Sequence, residues 1–412
     1  MFLILYDISI RFYAFLACLI SPINKKAKSF IEGRKNWRLK YAHFKHIENS
    51  VWFHAASLGE YELSIPIIKK IKTEKPNLYV LVTFYSPSGF ENRKSIGEVD
   101  FYGYIPFDYK TDMEEFVSVV KPKMVFFAKY DLWFHCLSAL FAEKIPVILF
   151  SGTFRQNQLY FKSYAKPYLN KIKLINHFFV TDEESKKVLN ENGISQVTVN
   201  GDSRFEKVFD NALNRFRMPE IEEFIDGDDC MVVGSSWNED IELIAQLANQ
   251  RKFPFKLIIA PHDISEQTLK FVEKSLNKET IRYSKLREGC ASCAQVLLID
   301  NIGLLSNLYQ YAKIAYVGGA FKQGLHNILE PIAYRIPVFF GSKYEKYPEA
   351  HTAINKQIAF SVSTIKDFET IFYDLISDSS ALQRISNDAN QWLESNKEVN
   401  KSVVDFSVAY LE

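Results

Sequence analysis

The sequence predicts an α/β protein with two parallel sheets, each covered by helices, and an apolar segment ahead of them. From residue 50 onward, short β-rich apolar runs alternate with stretches of helical period, which is typical of parallel sheets with helices on both faces. The alternation is interrupted by an acidic patch of low predicted order at residues 219–229 and then resumes. The chain of 412 residues is long enough for two domains.

The charge balance and the cysteine content argue against a nucleic-acid binder and against a disulfide-bonded protein. The chain has 50 basic and 49 acidic side chains, so it lacks the basic excess of a nucleic-acid binder held by bulk electrostatics. Its five cysteines are scattered, which indicates a reduced compartment rather than a disulfide framework. Cys290 and Cys293 form a lone CxxC without a second Cys or His pair at zinc spacing, and we interpret it as an incidental loop pair.

The first element is the apolar segment MFLILYDISIRFYAFLACLISP at residues 1–22. Asp7 and Arg11 interrupt it, and the remaining run is shorter than the ~20 residues of a transmembrane helix. It also lacks the basic start and cleavage site of a signal peptide. Seven Lys and Arg residues follow between residues 25 and 40. We therefore expect residues 1–40 to associate with a membrane at its cytoplasmic face, either by inserting or by lying in the interface. A buried first helix of the domain is the alternative.

The first series of strands is predicted at residues 51–55, 78–84, 101–105, 124–127, 147–150 and 178–180. Helical stretches accompany them at residues 60–72, 113–120, 132–141 and 183–189. Ligands of parallel sheets bind at the carboxyl ends of the strands, so residues that directly follow these strands are site candidates.

The second series of strands is predicted at residues 231–233, 256–259, 296–299, 314–317, 338–340 and 359–362, and residues 379–412 are predicted to be helical. We expect a first domain at residues 41–210, a linker at 211–228, a second domain at 229–395 and a C-terminal helix at 396–412. Many two-domain α/β proteins share this alternation, so it does not identify a function.

Residues 313–341 combine a strand, a glycine turn, a helix start and a second strand, and we interpret them as a ligand site. Gly318 and Gly319 lack β-carbons and so let the backbone approach a ligand. A helix predicted to begin near Asn327 offers free amides and a positive dipole end to an anion such as a phosphate. Glu330, one turn in, can accept hydrogen bonds from two vicinal hydroxyls. A plain glycine turn followed by an early-helix acid is the alternative.

Two motifs resemble those of one family. GGAFKQGLHNILEP, at residues 318–331, is similar to the donor-nucleotide motif of the Kdo (3-deoxy-D-manno-oct-2-ulosonic acid) transferases of lipopolysaccharide synthesis. WFHAASLGEYE, at residues 52–62, resembles the same family's N-terminal signature, whose S-x-GE glutamate is the catalytic base. The resemblance covers nearly the whole chain. It implies a GT-B glycosyltransferase with two Rossmann-like domains facing a cleft, the first binding the acceptor and the second the nucleotide donor.

The resemblance implies three catalytic residues. Glu60 is at the position of the base, and a helix start would keep its carboxylate ionised. Asp131 replaces the second glutamate of the family's ETE-L/I-WP motif, and Arg204 replaces a lysine thought to stabilise the departing phosphate. The alternative for Glu60 is an acidic residue that only stabilises the helix start and has no catalytic role. We interpret His54 as a strand-end histidine satisfied by the backbone, although it could orient a neighbour.

The acceptor-side residues implied in the same way belong to four short turns. Departures from the family pattern occur at Lys129, where the family has glutamate, at Phe134, where it has proline, and around Arg155. The turn at residues 85–89 is equally consistent with a plain helix cap. Arg155 is equally consistent with an exposed loop residue that has no binding role. The predicted acceptor-binding residues are Ser57, Gly59, Ser86, Ser88, Lys129 and Arg155.

The donor-side residues implied by the resemblance follow four strands of the second series. Most are glycines, small polar residues or backbone positions, which suit a nucleotide phosphate, and His262 replaces a family arginine. The predicted CMP-binding residues are Gly234, Ser235, Ser236, Pro261, His262, Ile302, Gly303, Leu304, Gly318, Gly319, His326, Asn327, Ile328, Leu329 and Glu330.

The function implied by the resemblance is a metal-independent, inverting transfer of Kdo from CMP-Kdo to the lipid A precursor, lipid IVA, at the cytoplasmic face of the inner membrane. We expect no cofactor, no metal and no nucleic-acid partner, and no Walker, HExxH, DxD or G-x-S-x-G motif is evident. Two alternatives stay open. One is a GT-B enzyme of different chemistry such as a nucleotide-sugar 2-epimerase, and the other is a non-catalytic, membrane-associated nucleotide-binding protein.

Overall fold

A computed structural model of the chain describes residues 2–288 and 291–411, so Cys290 of the CxxC lies outside the described residues. The chain forms two compact units. The first contains the residues up to Glu206 together with those from Glu398 onward, and the second contains Lys207–Lys397. Each unit is built on a parallel sheet of seven strands, which confirms the predicted α/β class.

The first unit has the strand order β3-β2-β1-β4-β5-β6-β7. Its strands are β1 (Ser50–Ala55), β2 (Tyr79–Phe84), β3 (Phe101–Tyr104), β4 (Met124–Ala128), β5 (Val147–Gly152), β6 (His177–Val180) and β7 (Val197–Val199). Its helices are α1 (Phe2–Ile20), α2 (Lys25–Arg34), α3 (Trp37–Tyr41), α4 (Leu58–Glu74), α5 (Pro87–Asn92), α6 (Lys110–Val120), α7 (Phe134–Ala142), α8 (Lys166–Ile172), α9 (Glu183–Glu191) and the start of α10 (Arg204–Leu213).

The core of the first unit lies on both faces of this sheet. Strand β1 lies between β2 and β4 inside the sheet and is buried at every position. Because successive side chains of a strand point to opposite faces, Trp52 packs into one core cluster and Val51 and Phe53 pack into the other. The turn from the carboxyl end of β1 to the start of α4 therefore follows a strand that is packed on both faces.

The second unit has the strand order β10-β11-β9-β8-β12-β13-β14. Its strands are β8 (Cys230–Ser236), β9 (Lys256–Pro261), β10 (Thr280–Arg282), β11 (Val296–Leu298), β12 (Ile314–Val317), β13 (Val338–Phe340) and β14 (Ala359–Ser361). Its helices are α11 (Pro219–Ile225), α12 (Asn238–Ala248), α13 (Glu266–Ser275), α14 (Leu305–Leu308), α15 (Leu329–Ala333), α16 (Pro348–Asn355), α17 (Ile365–Ser377) and α18 (Ser379–Asn396).

A last helix, α19 (Lys401–Tyr410), returns to the first unit. Val403 and Val404 are buried in the same core cluster as the strand residues Val51 and Phe53. Ahead of the helix, Asn400 donates through its backbone N–H and its side-chain amide to the carboxylate of Glu206, both at 2.9 Å.

Helix α1 lies on the first unit by one face. The Tyr6 hydroxyl donates to the buried Asp108 carboxylate at 2.6 Å, and Asp7 pairs with His135 at 2.6 Å. The opposite face exposes large apolar side chains that include Ile4, Leu5, Ile8, Phe12, Phe15 and Leu19. Within the described residues, α1 is the one helix long and apolar enough to cross a membrane.

The structure differs from the sequence prediction in two respects. Strands β7 and β10 were not predicted, because each has three residues and none of them is buried, so the apolar signal is weak. The acidic patch at residues 219–229, predicted to be of low order, contains α11. Its Ile221 and Phe224 are fully buried, and this burial stabilises the helix. The acidic residues around them made the segment read as disordered in the sequence.

Candidate functional site

Glu60 lies in the first turn of α4, directly after the carboxyl end of β1. Ser57 caps this helix, and its hydroxyl oxygen accepts a hydrogen bond from the Glu60 N–H at 3.4 Å. The Glu60 carboxylate turns back toward the strand, where Oε2 accepts from the Ala56 N–H at 2.5 Å. The half-buried carboxylate is therefore held at the strand-to-helix turn by the Ala56 N–H, and the Glu60 backbone by the Ser57 cap.

Charged neighbours act on Glu60 in opposite directions. Burial and the negative charge of Asp131 raise the pKa of Glu60, whereas the Ala56 N–H, His54 and Lys129 lower it. The net pKa lies above the usual value for a glutamate. A raised pKa makes the Glu60 carboxylate a stronger base toward a hydroxyl proton.

His54 is held by side chains rather than by the backbone, so the expectation of a backbone-satisfied histidine was wrong. Its Nδ1 lies 2.8 Å from Thr83 Oγ1 and its Nε2 lies 3.2 Å from Asp131 Oδ2. The ring is 1% exposed. The indole N–H of Trp133 also donates to Asp131 Oδ2, at 3.0 Å.

Four of the predicted acceptor residues lie close to Glu60. The Ser86 N–H donates to the Ala56 carbonyl at 2.9 Å, so the turn that follows β2 adjoins the turn that carries Glu60. Ser86 caps α5 by accepting from the Gly89 N–H, and its hydroxyl lies 2.9 Å from that of Ser88. Gly59 is exposed, and apart from its chain neighbours and its own helix backbone no described heavy atom lies within 4 Å of the position that a β-carbon would take. This surface is open to a ligand.

Lys129, Arg155 and Arg204 have different surroundings. Lys129 follows β4 in a left-handed conformation with φ of 60° and is one of the charges that lower the pKa of Glu60. Arg155 is exposed in the loop after β5, where its N–H donates to the Gln158 side chain at 3.0 Å. The Arg204 guanidinium binds Asp202 Oδ2 through Nε at 2.8 Å and Nη2 at 2.5 Å. A phosphate at Arg204 would therefore share it with Asp202.

In the second unit, a cavity of about 300 Å³ collects residues from three of the four segments predicted to bind the donor. Among the described residues, sequence reasoning missed Leu305, Ser306, Tyr309 and Val317 in its wall. Leu305, Ser306 and Tyr309 follow the D-N-I-G-L turn and form short helical pieces that carry no nucleotide-site signal in the sequence. The predicted residues that line it are Ser235, Gly303, His326, Asn327 and Glu330.

The glycine pair beside this cavity packs against protein, which corrects the expectation that the missing β-carbons make room for a ligand. A β-carbon on Gly318 would lie 2.6 Å from Ser236 Cα and 2.7 Å from Asp240 Oδ2. Asp240 accepts hydrogen bonds from the N–H groups of Gly319 and Trp237 and from the Tyr316 hydroxyl, at 2.8–2.9 Å. Gly318 lets this buried carboxylate fix the two turns to each other.

Three rings lie in a stack at the ends of β8 and β9. Trp237 stacks on His262 with 4.4 Å between ring centroids, and His262 stacks on His326 at 4.7 Å. The Trp237 indole N–H donates to His326 Nε2 at 3.2 Å, so His326 carries its proton on Nδ1 when neutral. Burial, together with the neighbouring His262, lowers the pKa of His326.

Helix α15 has five residues and begins at Leu329, two residues after the predicted start near Asn327. The Asn327 side-chain oxygen caps it by accepting from the Leu329 N–H at 3.1 Å, and the Asn327 amide donates to Glu330 Oε1 at 3.3 Å. One of the amides expected for an anion is thus already used. Ile328 and Leu329 are fully buried, so they can reach a ligand through their backbone only.

The remaining donor-side residues lie on the same edge of the sheet. Gly234 and Ser236 belong to β8, Pro261 ends β9, and Leu304 precedes α14. Ile302 is 86% exposed in the loop between β11 and α14. No group of three or more His, Cys, Asp and Glu side chains that could hold a metal ion is found in the part of the chain that the structure describes.

Comparison with known proteins shows similarity to one family of transferases. The family model for 3-deoxy-D-manno-octulosonic-acid transferase (kdotransferase) matches residues 34–207. The 3-deoxy-D-manno-octulosonic acid transferase of Haemophilus influenzae is 24% identical over 382 residues, which cover 88% of this chain and 87% of that protein. The transferase of the same name from Aquifex aeolicus is 28% identical over 344 residues, covering 81% and 88%.

Solved structures show the fold alone. The UDP-GlcNAc 2-epimerase of Neisseria meningitidis, bound to UDP-GlcNAc, matches with a TM-score of 0.64 at 17% identity and covers 87% of this chain and all of its own. The UDP-GlcNAc 2-epimerase of Methanocaldococcus jannaschii matches with a TM-score of 0.53 at 15% identity, covering 78% and 90%. These matches support a GT-B-like architecture, and at such identities they do not transfer an activity.

Proposed function

We propose that this chain is a Kdo (3-deoxy-D-manno-octulosonic acid) transferase, as its similarity to that family over residues 34–207 and to the transferases of Haemophilus influenzae and Aquifex aeolicus supports. In this proposal it transfers Kdo from CMP-Kdo to lipid IVA, the lipid A precursor. The observation that carries the proposal is the placement of Glu60. It lies inside the matched residues 34–207, at a strand-to-helix turn, with its pKa raised by burial and by Asp131.

In the proposed reaction, Glu60 accepts the proton of an acceptor hydroxyl. The hydroxyl oxygen then forms a bond to the anomeric carbon of Kdo while the bond from that carbon to the phosphate oxygen of CMP breaks. CMP departs with the electron pair of the broken bond, and attack opposite the leaving group inverts the anomeric centre. Backbone amides of the second unit would stabilise the phosphate charge, and the guanidinium of Arg204, which binds Asp202, is a further candidate for this role.

The donor assignment rests on the cavity of the second unit. Its wall brings together Ser235, Gly303, Asn327 and Glu330, which combine small residues, amides and one carboxylate around about 300 Å³. Small residues and amides suit a phosphate, and a carboxylate suits the vicinal hydroxyls of a ribose. We assign CMP-Kdo to this cavity.

We further propose that the protein lies on the cytoplasmic face of the inner membrane through α1, without crossing it. The Tyr6 and Asp7 contacts hold one face of the helix against the protein, and the opposite face exposes a continuous apolar surface. Lys25, Lys26 and Lys28 follow on the exposed side of α2, where they can meet anionic headgroups. A lipid acceptor would then be reached from the membrane surface.

The test is transfer from freshly generated CMP-Kdo to lipid IVA, with and without a chelator, by the wild type and by Glu60→Gln. We expect wild-type product that survives chelation and a loss of about 100-fold or more in kcat for Glu60→Gln. Glu74→Gln, on the exposed last turn of the same helix, is the matched control and should keep wild-type kcat. Absence of wild-type product despite CMP binding would contradict the assigned acceptor.

A further inference from the structure

Strands β1 and β2 place three polar side chains next to one another on the same face of the sheet. Their parallel register pairs His54 with Thr83. Trp52 is two residues before His54 and therefore points to the same face. All three side chains are fully or almost fully buried, with exposed fractions of 0–1%. Buried polar groups in this position must satisfy one another.

The donors and acceptors of this group fix one arrangement of protons. The Trp52 indole can only donate, and it donates to Thr83 Oγ1 at 2.7 Å. Thr83 retains its own hydroxyl proton, which it can donate to His54 Nδ1 at 2.8 Å. A neutral His54 then carries its proton on Nε2 and donates it to Asp131 Oδ2 at 3.2 Å. The opposite tautomer would place a lone pair against the carboxylate.

Asp131 receives two N–H donors on the same oxygen, from His54 and from Trp133 at 3.0 Å. The two contacts limit the rotation of the Asp131 carboxylate. The other oxygen, Oδ1, remains able to accept a hydrogen bond from an acceptor hydroxyl. The carboxylate so held is the negative charge that acts on Glu60.

We propose that His54 is a positioning residue, which Thr83 holds in its Nε2–H form so that it fixes Asp131 beside the base Glu60. This inference rests on the proposed function for the role of Glu60.

The decisive variants change Thr83, because its isosteric replacement removes only the hydroxyl. Thr83→Val breaks the contact that sets the His54 tautomer, whereas Thr83→Ser keeps it. We expect Thr83→Val to lower kcat by about tenfold per folded enzyme and Thr83→Ser to restore most of that loss. In an Asp131→Asn background, Thr83→Val should cause no further loss of kcat, because His54 then has no carboxylate at position 131 to position.

The His54 tautomer provides a readout that does not require activity. In protein with ¹⁵N-labelled histidine, assigned with a His54→Asn variant, we expect a protonated Nε2 and an unprotonated Nδ1 in the wild type. Thr83→Val should shift both resonances and Thr83→Ser should return them. Thermal unfolding of each variant corrects for folded fraction, since the Trp52 N–H also loses its acceptor in Thr83→Val.

Three results would overturn the inference: equal kcat in Thr83→Val and wild type, additive losses in the Asp131→Asn background, or an Nδ1–H tautomer in the wild type. Failure of the proposed function has a different signature. In that case no Kdo transfer occurs, or Glu60→Gln remains active, and the role of His54 in positioning a base then falls with it. The tautomer measurement still shows whether the hydrogen-bonded chain exists.

Discussion

Glu60, the proposed base, has a second acid, Asp131, as a neighbour, and the pH dependence of the enzyme should report on this neighbour through the pKa of Glu60. The pKa of Glu60 is raised by burial and by Asp131, and it is lowered by the Ala56 N–H, His54 and Lys129. A base must be ionised to act, so activity rises as pH passes upward through its pKa.

The acidic limb is the part of the pH profile in which activity rises with pH. Asp131 and Lys129 carry opposite charges, so substituting them should shift this limb in opposite directions. Asp131→Asn removes a negative charge, lowers the pKa of Glu60 and moves the limb of kcat/KM to lower pH, whatever the remaining rate. Lys129→Met removes a positive charge, raises that pKa and moves the limb to higher pH. A pH profile of kcat/KM for wild type and both variants checks this. Shifts in the same direction would contradict Glu60 as the group that titrates.

Gly318 and Gly59 are both glycines of predicted sites, but their surroundings differ. Gly318→Ala would place a methyl group against Ser236 and Asp240, so we expect it to destabilise the second unit by about 1–3 kcal/mol. Gly59→Ala faces open space within α4, where alanine is the better helix former, and should be neutral or stabilising by up to about 1 kcal/mol. Urea unfolding of both variants measures the difference, and equal effects would be inconsistent with these contacts.

At the scale of elements, the sequence predicted what depends on local pattern. Buried strands such as β4 and β12 are continuous apolar runs, and both were placed within one residue of their bounds. The sequence could not predict contacts between distant segments. The pairing of His54 with Thr83 depends on strand register, and the Asp240 contacts depend on two turns that are 79 residues apart along the chain. The glycine requirement at residue 318 was therefore recognised for the wrong reason.

Helix α1 combines a docked face with an apolar exposed face, and the second face predicts membrane binding. Ile8→Glu together with Phe12→Glu changes two side chains that are 57% and 59% exposed, so the fold should persist. Each substitution removes about 1.5–3 kcal/mol of favourable free energy from the burial of an apolar side chain in lipid. We therefore expect the double variant to bind membranes at least about 100-fold more weakly. Co-sedimentation with anionic and neutral vesicles measures it.

Leu174→Glu is the matched control for this experiment, because Leu174 is 54% exposed but lies in the loop after α8. It should bind anionic vesicles as the wild type does. High salt should weaken wild-type binding by screening the lysines of α2, while the apolar contribution remains. Unchanged binding of the α1 variant would show that another surface contacts the lipid.

At the scale of the whole molecule, the first unit is discontinuous in sequence. Its sheet is complete by residue 199, yet α19 supplies Val403 and Val404 to the same core as β1. Glu206 joins the two parts, because it binds both Asn400 and Lys70 of α4, the latter at 2.9 Å. The stability of the first unit therefore depends on residues that follow the whole second unit along the chain.

This dependence predicts that Val403→Asp damages a sheet whose strands end about 200 residues earlier in the chain. Val403 is fully buried among apolar side chains, and a charge there without a partner should cost about 3–5 kcal/mol. Hydrogen exchange should accelerate in β1, β2 and β4 and stay near wild type in β8 and β9. Asp405→Ala, exposed on the same helix, should leave every strand unchanged. Faster exchange confined to β8 and β9 would contradict the assignment of α19 to the first unit, since a local defect propagates through the cooperative unit that contains it.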